Sequence, residues 1–336
     1  MALGLGVETT CDETSLAIVR DGSEILSLQL YSQTKEHAPF RGVVPELAAR
    51  EHLIRINPLA NEVFSKAKVE PQEIDFVAVS AYPGLVGSIL IGSQFAKSFS
   101  LCFKKPIIPV DHLEAHLAVP SLQGETIPYP FLGILLSGGN SSIFRLAGLG
   151  NLEKISDTLD DALGEAFDKV GNLLNLPYPS APKVEKLAET AQKRDKLLPI
   201  LLKDAPSESL DFSFSGIKTA VQSLLKKNPS VDIPNLCYSF QESCFELVKR
   251  NLKKAVHITG IRSIVGGGGV FANQSLQFEI KALAESEGWK VSMPKRKILS
   301  TDNAAMVCAL GEKYFQAKRF GRLDFAVSPR HEGAYV

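Results

Sequence analysis

The chain has 336 residues, 45% of them hydrophobic, and its 37 Lys+Arg balance 37 Asp+Glu to a formal net charge of +0. That length and apolar content suit one large two-lobed unit or two domains with real cores, while the neutral balance excludes a globally basic nucleic-acid binder: any such binding must come from local patches or from partners. Cys11, Cys102, Cys237, Cys244 and Cys308 are odd in number, scattered and without a CxxC pair, which suits a reducing cytoplasm.

A cytoplasmic location with no membrane association is also expected because the start lacks a basic, cleavable leader. No apolar run approaches the ~18 residues that cross a bilayer.

Residues 3–7 form a short apolar run ending at Glu8-Thr9-Thr10-Cys11-Asp12-Glu13-Thr14, and a second strand over residues 16–19 closes at Asp21-Gly22, a good turn signal. The same strand, polar turn, strand pattern returns at residues 131–146 around Ser137-Gly138-Gly139-Asn140-Ser141-Ser142. Two copies of one hairpin point to an internal duplication. Pro45 stands at a favourable first-turn position for a helix running through Ile54 and beyond. Residues 74–80 read as a buried strand, residues 82–88 as a turn into a helix over 89–102, and residues 107–110 as another buried strand. This alternation predicts an α/β sheet packed by helices.

The strand at 107–110 delivers the chain to Asp111-His112-Leu113-Glu114-Ala115-His116. Histidines four apart on a helix share a face and can offer two imidazoles to one metal ion. A zinc-protease helix has the same spacing but carries its glutamate directly after the first histidine; here Glu114 points nearly opposite to His112. The hexapeptide is thus a metal pair without the protease base, or an ordinary helix with one buried and one surface histidine.

Residues 160–169 look helical and very acidic; Asp168 is either part of a solvated face or a ligand-binding residue. Residues 178–182 form a turn, and helices flank a short Asp211–Gly216 segment. A strand over 261–265 runs into Gly266-Gly267-Gly268-Gly269 and a helix over 274–287. Strand, glycine turn, helix lets backbone and a helix N-terminus approach a nucleotide, and four glycines carry an entropic cost that seldom serves stability. This is neither a Rossmann fingerprint nor a P-loop. Thr301 or Asp302 can cap the apolar helix over 304–315; alternatively Asp302 is a third metal ligand, and two histidines with one carboxylate suit iron(II) or zinc.

Two polar hairpin turns and a glycine turn before a helix form the layout of the actin, Hsp70 and sugar-kinase (ASKHA) class: a duplicated, two-lobed α/β fold with mixed sheets flanked by helices, closing over a nucleotide. Lobe I is expected over residues 1–118, completed by 300–325, and lobe II over 119–299. The chain also resembles one family closely, the tRNA N6-adenosine threonylcarbamoyltransferases of the bacterial TsaD type, once labelled O-sialoglycoprotein endopeptidases. The matching stretches are Glu8–Thr14, Gly42–Ala48, Pro83–Gly87, His112–His116, Ser137–Gly139, Asp161–Lys169, Phe212–Thr219 and Thr301–Asn303, in family order over nearly the whole chain.

The resemblance implies transfer of a threonylcarbamoyl group from threonylcarbamoyl-AMP to N6 of adenosine 37 in tRNAs reading codons that begin with A. It implies one divalent ion (Fe2+, or Zn2+) held by His112, His116 and Asp302. Leu135, Leu136, Ser137, Gly138, Gly139, Asp168, Ala181 and Asn273 would bind the adenylate, with Thr10, Asp12, Glu13, Asn140 and Gly268 as further candidates and no assigned general base. A paralogous TsaB-like dimerisation partner and a small TsaE-like ATPase are the implied companions.

Ser180-Ala181 stands where the family usually has Gly-Gly, Asn140 where many bacterial members have histidine, and Asp111 before the first histidine is unusual. For tRNA the sequence offers only basic clusters: Lys226-Lys227, Lys249-Arg250 with Lys253-Lys254, Lys295-Arg296-Lys297, and Lys318-Arg319 with Arg322. A metallopeptidase, a metabolite kinase of the same fold and a non-catalytic scaffold are the competing readings. The first predicts His112-dependent peptide cleavage, the second ATP turnover without tRNA, and the third a lost metal triad.

Overall fold

The computed structural model describes residues 1–202, 206 and 209–331. In chain order its strands and α-helices are β1 (Leu3–Glu8), β2 (Glu13–Arg20), β3 (Glu24–Ser32), α1 (Thr34–His37), α2 (Pro45–Ala67), β4 (Phe76–Tyr82), α3 (Val86–Phe103), β5 (Ile107–Asp111), α4 (His112–His116), β6 (Phe131–Leu136), β7 (Ser141–Gly148), β8 (Asn151–Ser156), α5 (Leu163–Leu173), α6 (Ala181–Glu189), α7 (Ser215–Lys227), α8 (Ile233–Thr259), β9 (Ser263–Gly267), α9 (Gln274–Glu287), β10 (Lys290–Ser292) and α10 (Ala304–Gln316). They divide into two compact units. The first comprises Met1–Tyr129, Ala147–Leu152 and the chain from Pro294 onward; the second comprises Pro130–Leu146 and Glu153–Met293.

The first unit carries a sheet ordered β3-β2-β1-β4-β5, with β1 antiparallel to β2 and parallel to β4, and β4 parallel to β5. Side chains alternate across it, as strand geometry requires. Leu16 and Ile18 pack with Ile56, Val63 and Phe99 from α2 and α3 on one face. Ala17 and Val19 pack with Met306, Val307 and Leu310 of α10 on the other. Burial on both faces is why β4 reads as an unbroken apolar run, all seven residues being buried.

The second unit repeats the connectivity. Its sheet is ordered β8-β7-β6-β9-β10, with β6 antiparallel to β7 and parallel to β9, and β9 parallel to β10. The two sheets therefore share one wiring, the duplication that the paired hairpins suggested. Leu132, Ile134 and Leu136 of β6 join Phe167 of α5 and Phe240, Phe245 and Val248 of α8 in a single core.

Several elements differ from expectation. β3 escaped sequence reading because its residues are mostly half-buried, so no clean alternation marks it. The acidic run is not one helix: α5 starts at Leu163, and Asp160 and Asp161 precede it. Helix α3 is 18 residues of mean hydropathy 1.2 with 39% of the window buried, long and apolar enough to cross a bilayer, although no uninterrupted apolar run was found. Its small residues Ser88, Gly92, Ser93 and Ala96 are buried, and it packs against β4 and α2.

Candidate metal and adenylate sites

Strand β5 ends at Asp111, and α4 is a single turn whose two histidines are both buried. Asp111 Oδ1 accepts from the backbone N–H of Leu113 at 2.6 Å and of Glu114 at 3.0 Å, so it caps this short helix. Asp302 arrives from the other end of the chain. Neither Thr301 nor Asp302 caps α10: that role belongs to Asn303, which accepts from Met306 N at 3.1 Å. Asp302 is thereby released from capping, and its Oδ1 lies 3.1 Å from His116 Nε2 and 3.6 Å from His112 Nε2. One ligand atom from each of His112, His116 and Asp302 falls within 4.8 Å of the other two.

Glu8, at the end of β1, completes the surroundings. It is fully buried, and its Oε2 lies 2.9 Å from His112 Nδ1 and accepts from Ser80 Oγ at 2.5 Å, while Oε1 accepts from Thr10 N at 2.7 Å. Thr10 Oγ1 lies 3.3 Å from His112 Nδ1. A histidine whose far nitrogen meets a carboxylate presents the other to a metal in a fixed orientation.

The electrostatics suit a cation. Burial pushes His112 down, but the charges of Glu8 and Asp302 outweigh it and raise the imidazole to about 9. Burial pushes Asp302 up, yet the His112 charge and the His116 hydrogen bond hold its carboxyl at about 2. The carboxylates of Glu8 and Asp302 thus favour positive charge at this site, and a metal ion would compete with protonation of the imidazole. His116 Nδ1 is buried with no hydrogen-bond partner among the described residues, while Nε2 is the nitrogen that faces Asp302. The donor set fits a divalent ion of the imidazole-and-carboxylate class.

Of the further candidates in this unit, Glu13 Oε1 accepts from Ser32 Oγ at 3.3 Å, and burial with the charges of Asp12 and Asp302 pushes its carboxyl up. Asp12 contributes its carbonyl to Gln33 N at 3.0 Å. Burial and the Asp12 charge push the Cys11 thiol up, which argues against a thiolate nucleophile. Glu114 faces away from the triad: it accepts from Gly150 N at 2.9 Å and Tyr314 OH at 3.0 Å. The base that a metallopeptidase needs beside His112 is not supplied by that residue.

In the second unit, Leu135 and Leu136 are buried at the end of β6 and can offer a ligand only backbone groups or apolar surface. Ser137–Asn140 forms a tight turn, with Ser137 N donating to the Asn140 carbonyl at 2.8 Å and Asn140 N to Ser137 Oγ at 3.0 Å. A Cβ at Gly138 or Gly139 would meet nothing within 4 Å, so intramolecular packing does not require glycine there. Helix α5 sits against the turn: Gly164 N donates to the Ser137 carbonyl at 3.1 Å, and a Cβ on Gly164 would stand 2.7 Å from that oxygen. Gly268 has φ +94°, and a Cβ there would stand 2.5 Å from the Leu136 carbonyl oxygen.

Asp168 is not part of a solvated face. Its Oδ1 accepts from Ser180 N at 2.6 Å and Ala181 N at 3.1 Å, satisfying orphan donors at the start of α6. Asn273 caps α9 through Leu276 N at 2.9 Å and donates from Nδ2 to Gln241 Oε1 at 3.0 Å. Both residues therefore have structural duties that the sequence did not disclose. Asp160, expected as the first residue of the helical stretch 160–169, lies before α5 and binds the segment leading into α7 instead, accepting from Ser213 Oγ at 2.5 Å, Ser215 Oγ at 2.7 Å and Phe214 N at 2.8 Å.

Part of three of the four basic clusters is engaged within the chain, while Arg296, Lys297 and Lys318 are exposed. Lys249 meets Glu279 at 2.8 Å, Lys253 meets Glu287 at 2.9 Å, Lys295 meets Glu125 at 2.5 Å and Arg322 meets Asp324 at 3.0 Å. Arg250 and Arg319 donate to the carbonyls of Leu201 and Leu149. Lys226 and Lys227 remain exposed in the last turn of α7.

Comparison with known proteins shows the family and the fold. The family model described as tRNA N6-adenosine threonylcarbamoyltransferase (TsaD) matches residues 24–309. A curated protein of that name from Leptospira interrogans serogroup Icterohaemorrhagiae serovar copenhageni is 46% identical over 333 residues, covering 98% of each chain. Among solved structures, HypF from T. kodakarensis superposes with a TM-score of 0.62 at 13% identity, over 94% of this chain and 48% of that one. The Acidaminococcus fermentans (R)-2-hydroxyglutaryl-CoA dehydratase component A gives 0.55 at 15% identity, over 93% and 98%. These last two likenesses concern the fold alone, which is of the ASKHA type.

Proposed function

The chain belongs to the tRNA N6-adenosine threonylcarbamoyltransferase family, and we propose a division of the transfer among its own residues. The enzyme moves the threonylcarbamoyl group of threonylcarbamoyl-AMP onto N6 of adenosine 37 in tRNAs that read codons beginning with A, releasing AMP. The N6–C bond forms as the carbamoyl C–O bond to phosphate breaks, with the electron pair leaving on AMP and the amine losing a proton.

His112, His116 and Asp302 hold a divalent ion, with Glu8 orienting His112 from behind. The observation that carries this reading is the convergence of three ligand atoms within 4.8 Å from two distant stretches of the chain. When bound, the ion supplies a Lewis acid that polarises the donor and neutralises charge on the departing phosphate. Fe2+ is our first choice by family likeness, and Zn2+ is the alternative by donor type.

On the adenylate side, the Ser137–Asn140 turn offers backbone N–H groups to phosphate oxygens, and the open space over Gly138 and Gly139 supports that role. Asp168 Oδ2 accepts from a ribose hydroxyl while Oδ1 holds Ser180 and Ala181. Asn273 steadies the start of α9 beside the glycine turn, and Leu135 and Leu136 shape the end of β6. We assign no general base: holding the amine against the carbamoyl carbon can by itself supply a large rate factor.

We place the enzyme in the cytoplasm, working with a paralogous dimerisation partner and a small ATPase. A neutral chain whose basic side chains are in part engaged with its own carboxylates and carbonyls supports a need for help with tRNA. The test is to incubate the protein and companions with threonylcarbamoyl-AMP and unmodified tRNA and to look for modified adenosine by mass spectrometry. His116→Ala and Asp302→Ala should each lose metal and product together; product formed with no bound metal refutes the assigned role.

A further inference from the structure

The residue before the first metal-site histidine carries a contact that capping does not explain. Asp111 is only 4% exposed. Its Oδ1 is used by the N–H groups of Leu113 and Glu114, but its Oδ2 is bonded to Nδ1 of His331, 220 residues later. The other ring nitrogen, His331 Nε2, lies 3.3 Å from the Leu152 carbonyl oxygen. Residues 320–331 reach this point along a defined route: Gly321 N donates to the Ile107 carbonyl at 2.8 Å, Lys97 Nζ to the Phe325 carbonyl at 2.8 Å, and Ser328 N to the Ala81 carbonyl at 3.1 Å. The segment is thus fastened along β5, α3 and the end of β4 before His331 meets Asp111.

Helix α4 is five residues long. A single turn has almost no intrinsic stability, so the direction of His112 and His116 depends on what holds its ends. Its N-terminal hold is the Asp111 carboxylate, and the position of that carboxylate is set from the far side by His331. Capping holds Oδ1 alone; a second bond, to Oδ2, fixes the carboxylate from its other side.

We propose that His331 is a positioning residue for the metal site, acting through Asp111 on the one-turn helix that carries His112 and His116. This rests on the assignment of those histidines as metal ligands. The claim is specific to metal retention: His331 touches neither ligand, so its removal should loosen the helix without deleting a donor.

The test uses the full chain loaded with Zn2+ or Fe2+ and measures loss of metal to a chelator, with thermal melting of the same samples. Wild type sets the baseline; if it takes up no metal, the metal assignment falls and this inference with it. With metal bound, His331→Ala is expected to speed metal loss by about tenfold, the low end for residues supporting ligands from behind. His331→Gln should recover part of it by donating an amide N–H to Asp111. Phe325→Ala removes a ring that packs on the core beside α2 and α3 and whose centroid lies 4.1 Å from Lys97 Nζ; it keeps the carbonyl that accepts from Lys97 and does not touch Asp111, so it should lower the melting temperature while leaving metal loss at the wild-type rate. Asp111→Ser keeps a capping hydroxyl that is too short for His331; in that background His331→Ala should add nothing. Wild-type metal loss in His331→Ala, equal loss in Phe325→Ala, or additive effects of the Asp111 and His331 changes would each overturn the proposal.

Discussion

Glu8 Oε2 lies 2.9 Å from His112 Nδ1 although 104 residues separate the two. The contact exists because β1 and β5 both pair with β4, which brings the C-terminal ends of two parallel strands together. It leaves Nε2 as the nitrogen that faces Asp302.

Replacing Glu8 should therefore weaken metal binding without removing a ligand. Glu8→Gln keeps an acceptor for the imidazole but loses the charge, and we expect affinity to fall by about tenfold or more. Competition with a chromogenic chelator, alongside circular dichroism to verify folding, measures this. Unchanged affinity would show that His112 needs no carboxylate behind it.

The turn at Ser137–Asn140 separates packing from binding. Gly138→Ala places its methyl in open space, so stability should change by no more than about 0.5 kcal/mol while AMP binding weakens. Gly164→Ala drives a Cβ to 2.7 Å from the Ser137 carbonyl oxygen and should cost about 1–3 kcal/mol through overpacking. Calorimetric titration with AMP and urea unfolding of both variants read the two effects. Full AMP affinity in folded Gly138→Ala would remove the turn from the adenylate site.

Asp168 has two duties that one substitution can split. Asp168→Asn retains a carbonyl oxygen for Ser180 N and Ala181 N, so the start of α6 should survive. Asp168→Ala leaves those two donors without an acceptor and should cost about 1–2 kcal/mol. Both variants should bind AMP more weakly than wild type if Oδ2 meets the ribose. Wild-type AMP binding by the asparagine variant would confine Asp168 to its structural part.

Asp160 makes a prediction about acid. Burial raises its carboxyl, but hydrogen bonds from Ser213, Ser215 and the Phe214 and Ser215 backbone lower it below the ordinary aspartate value. A depressed folded-state value means the stabilisation is present above the unfolded pKa of about 3.9 and is lost as pH falls through the folded one. Asp160→Ala should thus be less stable than wild type at neutral pH by about 1 kcal/mol, scaled to a partly exposed cap. The gap should close in strong acid. Denaturant unfolding at neutral pH and near pH 3 decides it; a gap that widens on acidification would contradict the assignment.

Much of this was legible before any coordinates. The i, i+4 histidines, the strand-turn-strand repeat and the strand-glycine-helix junction are local patterns, and each is imposed by backbone periodicity over a few residues. The whole of α9 could be read from hydrophobic spacing and glycine alone, whereas β9 begins and ends two residues later than the expected 261–265, its last two residues being the first two of the four glycines.

What sequence could not supply is partnership. In a linear reading Thr301 or Asp302 caps α10; the path into α10 instead gives that role to Asn303 and frees Asp302. Glu8 carries one signal in the sequence, a carboxylate closing an apolar strand, since a buried charge demands a partner; its partner is nonetheless a histidine two strands away. Asp111 and His331, Asp160 and Ser213, and Asp168 and Ala181 are likewise unrelated in the chain. Local propensity acts over one turn of helix or one strand, whereas a hydrogen bond acts over three ångströms of space, and only the packed sheet determines which distant residues come that close.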